Sequence, residues 1–398
     1  MNKYLQSWLE IRNIVREFIA TPNLCKAFLY GIALYVIALF ALLRGDIYYL
    51  DDWGSSSRET TWNHFSRYLT TFMLNNLVSF GKSSIDSSPL LQIIAVIFII
   101  ASALILLYLI RGKFDFIGIV ASLPLGLSPY FLENLSYKFE SLTMSMALFF
   151  AIVPFLFKEK IRIFCAISVV SLIFMFMTYQ AANATYIILS LYFAFSAFFI
   201  KRRNFKESVL FLGICAINLI VATLIYKFII AEPINTYTTT YTSDKIITLD
   251  SHFFIGIWAN LSTYATTIFN DFKQTPYIWL ILLNCCLFVA NISICANRPK
   301  IALILGATLF LMLGFALSFG LYLVLQKPIF TPRAFYGFNA FVAVIAIANV
   351  SLTHSPPPTK ILSTPPPFAK NTALHFLRGG SDYGVFSNKL CKYLWQCT

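Results

Sequence analysis

Residues 89–110 read PLLQIIAVIFIIASALILLYLI, twenty-two positions without one Asp, Glu, Lys, Arg or His. A helix of that length covers roughly 33 Å, the thickness of a bilayer's hydrocarbon core. Working outward, further apolar runs lie near 27–43, 116–132, 142–157, 161–178, 184–200, 208–230, 277–296, 301–325 and 335–352. Ten spans result, some of them short. The fold class that follows is all-α, a polytopic membrane protein. Composition agrees: 58% of the 398 residues are apolar and 12% are charged, about half the charged share of a soluble chain. A soluble protein of this length needs two or three domains with charged surfaces, and 30 basic and 17 acidic side chains do not supply them. A soluble enzyme, a disordered chain and a collagen-like fibre are excluded.

The net charge of +13 would suit a nucleic-acid binder if it formed a patch. It forms short clusters between apolar runs instead, so no nucleic acid is expected as a partner. Fifteen basic residues fall in alternate short flanks: Lys3 to Lys26, Arg111 and Lys113, Lys158 to Arg162, Lys201 to Lys206, Arg298 and Lys300. The opposite loops hold ten basic residues and eleven of the seventeen acids. The positive-inside rule then places the N-terminus in the cytoplasm and loops 44–88, 128–141 and 231–276 outside. Residues 1–26 are too charged for a cleaved leader. Leu5, Trp8, Leu9, Val15, Phe18 and Ile19 recur there at near-helical spacing, as in a cytoplasmic interfacial helix. The cysteines sit mostly inside apolar runs and read as buried, inert thiols, with no zinc spacing and no external disulfide framework.

The long loops carry the candidate chemistry. Asp51 and Asp52 are adjacent, just beyond the first span, among Tyr48, Tyr49 and Trp53. An Asp pair is often a solvated turn, but an aromatic setting raises a carboxylate toward the range of a useful base. Residues 62–80 have the pattern of one amphipathic helix, with Trp62, Phe65, Leu69, Phe72, Met73, Leu77 and Phe80 on one face. His64, Arg67, Thr71 and Asn75 fall on the other. Lying on the membrane surface, that helix would offer Arg67 either to a phosphate, through two parallel hydrogen bonds, or to an anionic lipid. In 128–141, Glu133, Tyr137 and Glu140 would share a helical face, next to Lys138. The third loop is rich in Thr and Tyr over 236–242, which suits carbohydrate but also any exposed loop. Lys327, Pro332 and Arg333 form a second basic cluster on the same side. No Walker loop, dinucleotide fingerprint or zinc motif occurs, so no cofactor is expected.

Tyr49-Leu50-Asp51-Asp52-Trp53-Gly54, Ser66-Arg67, Ile85-Asp86-Ser87-Ser88-Pro89-Leu90, the segment from Phe131 to Leu142 and Thr178-Tyr179-Gln180-Ala181 resemble the Gtr-type O-antigen glucosyltransferases. These are phage-encoded serotype-converting enzymes of enteric bacteria. The resemblance runs from about residue 28 to about 345. It implies a fold of the GT-C type in the bacterial inner membrane. It also implies transfer of glucose from undecaprenyl-phosphate glucose to a sugar of the lipid-linked O-antigen, on the periplasmic face. A donor-synthesising transferase and a flippase would act in the same pathway. Asp51, Asp52, Arg67, Glu133, Tyr137, Lys138 and Glu140 stand on the matching motifs.

Asp52 is the first choice for the base and Asp51 the second, with Glu133 and Glu140 as acceptor positioners or alternative bases. Arg67, helped by Lys138 or Arg333, is the candidate for the donor phosphate, with Tyr137 and His64 beside it. No metal is required where arginine neutralises the leaving phosphate. The transferase domain spans 27–352, and 353–398 is a Pro-rich, basic tail unlike the family's usual ending, as a truncation or frameshift would leave. Two rivals follow: a truncated inactive member, and a transporter or flippase of a lipid-linked sugar. Coupled transporters place ionisable groups at mid-membrane, and the centres of these ten runs have none. A polymerase or acyltransferase is a further rival, the latter needing a catalytic His where only His64 and His252 lie outside. Reporter fusions at Ser57 and Lys245 are expected to be active only as external reporters, and one at Arg203 only as a cytoplasmic reporter. Cytoplasmic activity at Ser57 would overturn the orientation.

Overall fold

A computed structural model describes residues 3–57, 61–80, 85–231, 245–295 and 298–353. These described residues form one compact unit. The tail expected over 353–398, past Thr353, lies outside the described residues, as do Thr236–Thr242 and Asp244.

The apolar runs are helices. In chain order they and their neighbours are α1 (Lys3–Ile19), α2 (Leu24–Gly45), α3 (Leu90–Arg111), α4 (Phe116–Leu127), α5 (Pro129–Ser136), α6 (Ser141–Phe157), α7 (Ile161–Thr178), α8 (Gln180–Ile200), α9 (Phe205–Ile230), α10 (Phe253–Phe272), α11 (Pro276–Cys295), α12 (Lys300–Leu317) and α13 (Tyr336–Thr353). Eight of these are long and apolar enough to cross a membrane: α2, α3, α7, α8, α9, α11, α12 and α13. The chain is an all-α polytopic membrane protein.

Three of the ten expected runs depart from simple spans, each for a local reason. The run 116–132 is folded in two, α4 and α5 meeting at 61°. Ser128 leaves the helical region there, its Oγ accepts the Phe131 N–H, and Pro129 occupies the first helical position, so a new helix starts. The run 142–157 ends in a 3₁₀ turn over Val153–Phe157 led by Pro154, because proline withdraws an amide from the α ladder. The helix expected to reach residue 325 stops at Leu317. Beyond it Gly320 has φ +63, and a Cβ would sit 2.5 Å from the Asn183 Oδ1. That oxygen accepts the Leu321 N–H. Residues 320–325 therefore turn toward the loops.

α13 is the hub of the bundle: 78% of its apolar stretch is buried, against 11% for α11. Asparagines tie these two helices together. The Asn349 amide donates to Asn284 Oδ1 (2.7 Å) and to the Asn284 carbonyl (2.9 Å), and Asn291 donates to Asn349 Oδ1 (3.0 Å). The described parts of loops 44–88, 128–141 and 231–276 meet at one end of the bundle. The opposite end carries α1, which rests Phe18 edge-on against Tyr108 and Phe114 and pairs Glu10 with Lys160. Its other flank leaves Leu5, Trp8 and Ile19 exposed.

Five of the cysteines are free thiols, and they are less uniformly buried than expected: Cys215 is buried, Cys165 and Cys285 are half-buried, and Cys25 and Cys286 are exposed. Replacing Asn349 by Ala removes three hydrogen bonds between α11 and α13. The expected cost is about 1–2 kcal/mol, read as a lower melting temperature of the detergent-purified protein with the helical content unchanged.

Candidate functional site

The site grows from one carboxylate. Asp52 is 1% exposed. Its Oδ2 accepts the backbone N–H of Tyr49 (3.0 Å) and of Lys138 (3.1 Å), and the Phe139 amide also points at the group. Burial pushes this carboxyl above its ordinary range, although the three amides pull it down. The first loop is thereby fixed to the turn between α5 and α6. Asp51 is the opposite case: its side chain is 67% exposed and lies 3.5 Å from the Arg333 guanidinium.

Residues 62–80 are helical in kind but not one helix. They form a 3₁₀ turn (Asn63–Phe65), a single α turn (Tyr68–Thr71) and a π segment (Phe72–Val78). Tertiary bonds win over the amphipathic period here. Trp62 is buried rather than lipid-facing, Ser66 takes φ 55, and the Thr70 hydroxyl donates to the Thr178 carbonyl. Phe65, Phe72, Leu77 and Phe80 keep the exposed apolar side expected of them. Leu50, just before Asp51, is also left-handed at φ 44. A left-handed non-glycine residue costs roughly 1–2 kcal/mol, so both Asp51 and Arg67 follow a strained position that the surrounding bonds hold.

Arg67 points inward. Its Nη1 pairs with Glu140 Oε2 (3.1 Å), its Nε donates to Gln180 Oε1 (3.1 Å), and its guanidinium lies 4.3 Å from the Tyr179 ring centre. Gln180 is oriented in turn by donating to the Phe65 carbonyl (2.7 Å) and the Tyr226 hydroxyl (2.9 Å). Arg333 arrives from the turn before α13. Its backbone N–H donates to Glu133 Oε2 (2.6 Å), while its Nη1 donates to the Tyr137 hydroxyl. Tyr49 donates to Glu133 Oε1 (3.5 Å) and sets its ring edge-on to Tyr137. Both guanidinium charges act on Tyr179 and Tyr322. Two arginines, each countered by a carboxylate, thus border a tyrosine-lined site.

Glu133, Tyr137 and Glu140 were expected on one helical face. They are brought together otherwise: α5 ends at Ser136, Tyr137 is extended, and Glu140 sits just before the start of α6. Arg333 links the first two and Arg67 holds the third. Lys138 turns away from this group. Its ammonium is buried between Asp46 and Asp86 and above the Tyr48 ring. His64 lies on the exposed side of its 3₁₀ turn. In the third loop, Asp250, His252 and Asp271 are all exposed, and Asp271 accepts the Tyr130 hydroxyl (2.8 Å). The pattern of the loop's composition missed α10, whose Tyr264, Ile268 and Phe272 are buried; their spacing of four was the available signal. Gln180 stood on the Thr178-Tyr179-Gln180-Ala181 stretch but was given no role, and Tyr226 and Tyr322 were missed.

Fold and site together define a polytopic membrane protein with its polar, doubly cationic site at one end of the bundle. Residues 24–344 match the family described as "Glucosyl transferase GtrII", and the chain belongs to that family. It is 32% identical over 255 residues to an "Uncharacterized 55.3 kDa protein in gtrB 5'region" of Salmonella phage P22. That alignment covers 62% of this chain and 51% of the phage protein, so the chain spans about half the length of the curated relative it matches. No solved structure matches it.

The two aspartates are separable by stability. Asp52→Asn turns one acceptor oxygen into a donor facing backbone amides, with an expected cost of about 1–3 kcal/mol. Asp51→Asn, at an exposed side chain, is expected to stay within about 0.5 kcal/mol of the parent. Thermal unfolding of the two variants in detergent checks this.

Proposed function

We propose that the chain transfers glucose from undecaprenyl-phosphate glucose to a hydroxyl of a lipid-linked O-antigen sugar, at the periplasmic face of the inner membrane. The observation that carries the reading is the pair Arg67 and Arg333 around Tyr179, with Asp51 open beside them. Family membership and the segregation of basic residues to the opposite flanks support it. A polyprenyl-phosphate donor suits a chain in which the phosphate, and no nucleotide, needs recognition.

The chemistry is a direct displacement. The acceptor oxygen bonds to the anomeric carbon as the bond from that carbon to the phosphate oxygen breaks. The polyprenyl phosphate leaves with the electron pair and one more negative charge, which the two guanidiniums stabilise. The acceptor's proton passes to a carboxylate, and the anomeric centre inverts. Asp51 takes the role of base, because its carboxylate is largely exposed and meets Arg333 through one long contact of 3.5 Å. Asp52 is buried and accepts backbone amides at Oδ2, Glu133 is engaged at both oxygens by Arg333 and Tyr49, and Glu140 is paired with Arg67 through Oε2. Asp52 then fixes the loop, Glu133 and Tyr137 position Arg333, and Glu140 positions Arg67. Lys138 supports the fold of this end instead of meeting the phosphate, and His64 borders the entrance.

The test is O-antigen glucosylation in a host supplied with the donor-making partners. Asp51→Asn is expected to lower it by about 10²–10⁴-fold with the protein still inserted and stable. Arg67→Lys keeps the charge but loses the fork that serves Glu140 and Gln180, and is expected to lose about 10²-fold. Full activity of Asp51→Asn would remove the base from this position, and absence of glucose on the O-antigen with the parent chain would overturn the reading.

A further inference from the structure

At the end of the bundle opposite the candidate site, the turn between α6 and α7 meets the turn between α8 and α9. Lys158 lies in the first, and its Nζ sits 4.8 Å from the centre of the Phe193 ring. Lys201 and Arg203 approach from the second. Glu159 pairs with Arg203 at 3.0 Å and is half exposed. Among the described residues no carboxylate lies within ion-pair distance of Lys158 or Lys201. Burial, then Lys201 and Arg203, pull the Lys158 ammonium down to about 8 despite Glu159. A lysine tucked against an aromatic ring, beside two further cations and under-compensated, is arranged to receive an anion.

The height of this cluster relative to the bilayer identifies the anion's source. α1 packs beside the same turn and is tied to it by Glu10 and Lys160 (3.4 Å). It leaves Leu5, Trp8 and Ile19 exposed among Arg12 and Arg16, the composition of a helix lying along a bilayer surface. The Lys158 turn therefore stands at the level of the headgroups, where phosphodiesters are concentrated. We propose that Lys158, Lys201 and Arg203 form a binding site for the headgroup phosphate of an anionic phospholipid, seated between the α6–α7 and α8–α9 turns. The acyl chains would run down the exposed apolar flank of α9, which presents Phe205, Val209 and Leu212. The site is independent of the glucosyl transfer chemistry.

The experiment is native mass spectrometry of the full chain released from detergent with added phosphatidylglycerol or phosphatidylcholine. The parent is expected to retain phosphatidylglycerol preferentially, with about fivefold weaker retention for each lysine removed. Lys158→Met with Lys201→Gln should bring phosphatidylglycerol down to the level of phosphatidylcholine. Lys201→Gln alone, at an exposed position, guards against misfolding of the double variant and should show the intermediate loss. Lys327→Gln removes one charge at the other end and should leave retention unchanged. Equal retention of the two lipids by the parent, or undiminished preference in the double variant, overturns the site. Displacement of the lipid by millimolar inorganic phosphate assigns the cluster to a soluble anion and overturns it as a lipid site.

Discussion

Everything at the loop end depends on a buried anion that answers to the main chain. Asp52 offers its oxygens to amides from two different loops, and a carboxylate receiving several N–H groups is both fixed and difficult to replace. With it in place, Tyr49 lies against Tyr137, and Lys138 is turned toward Asp46 and Asp86. Removing this carboxylate would release two loops at once. The neighbouring Asp51 has no such duty to the main chain and lies exposed beside the Arg333 guanidinium.

The second organising feature is pairing without burial of either charge alone. Arg67 and Arg333 come from segments far apart in the sequence, and each is met by an acid from another segment. Arg67, the more buried of the two, would carry a heavy desolvation cost without Glu140, whereas Arg333 meets an exposed Asp51 and also donates to the Tyr137 hydroxyl. With the acid, two positive groups can stand near the same tyrosine rings. Gln180 and Tyr226 add hydrogen bonds that set the plane of one guanidinium, and the planarity of that group makes its orientation matter more than its charge.

Much of the fold was legible because apolar runs of some twenty residues report transfer into lipid, a large and additive effect. What local chemistry decides was not legible from that sum. The bend at Ser128–Pro129 rests on one hydroxyl cap, and the early end of α12 on a left-handed glycine facing Asn183. In residues 62–80 the helical period was real, but contacts to Thr178 and Gln180 outweighed it. The same holds at the site. Arg67, Arg333 and the acids could be named from their loops, since polar residues this dense beside apolar spans need partners. Their pairing could not: Lys138 stands on the same motif as Glu140, yet an extended Tyr137 sends the two side chains to different neighbours.

α13 gives the loop end a mechanical dependence on the far side of the membrane. Arg333 sits three residues before this helix, which is packed on nearly all sides, so it behaves as a stiff rod with little room to slide. Its axial register is pinned at Asn349 by Asn284 and Asn291, about 20 Å along the rod from Tyr336. A slip of a single residue there would carry the guanidinium some 1.5 Å along the axis, enough to part it from Asp51. Distance from the loops thus gives a residue no insulation from them, and an asparagine near the opposite end of α13 serves as the datum from which the site is measured.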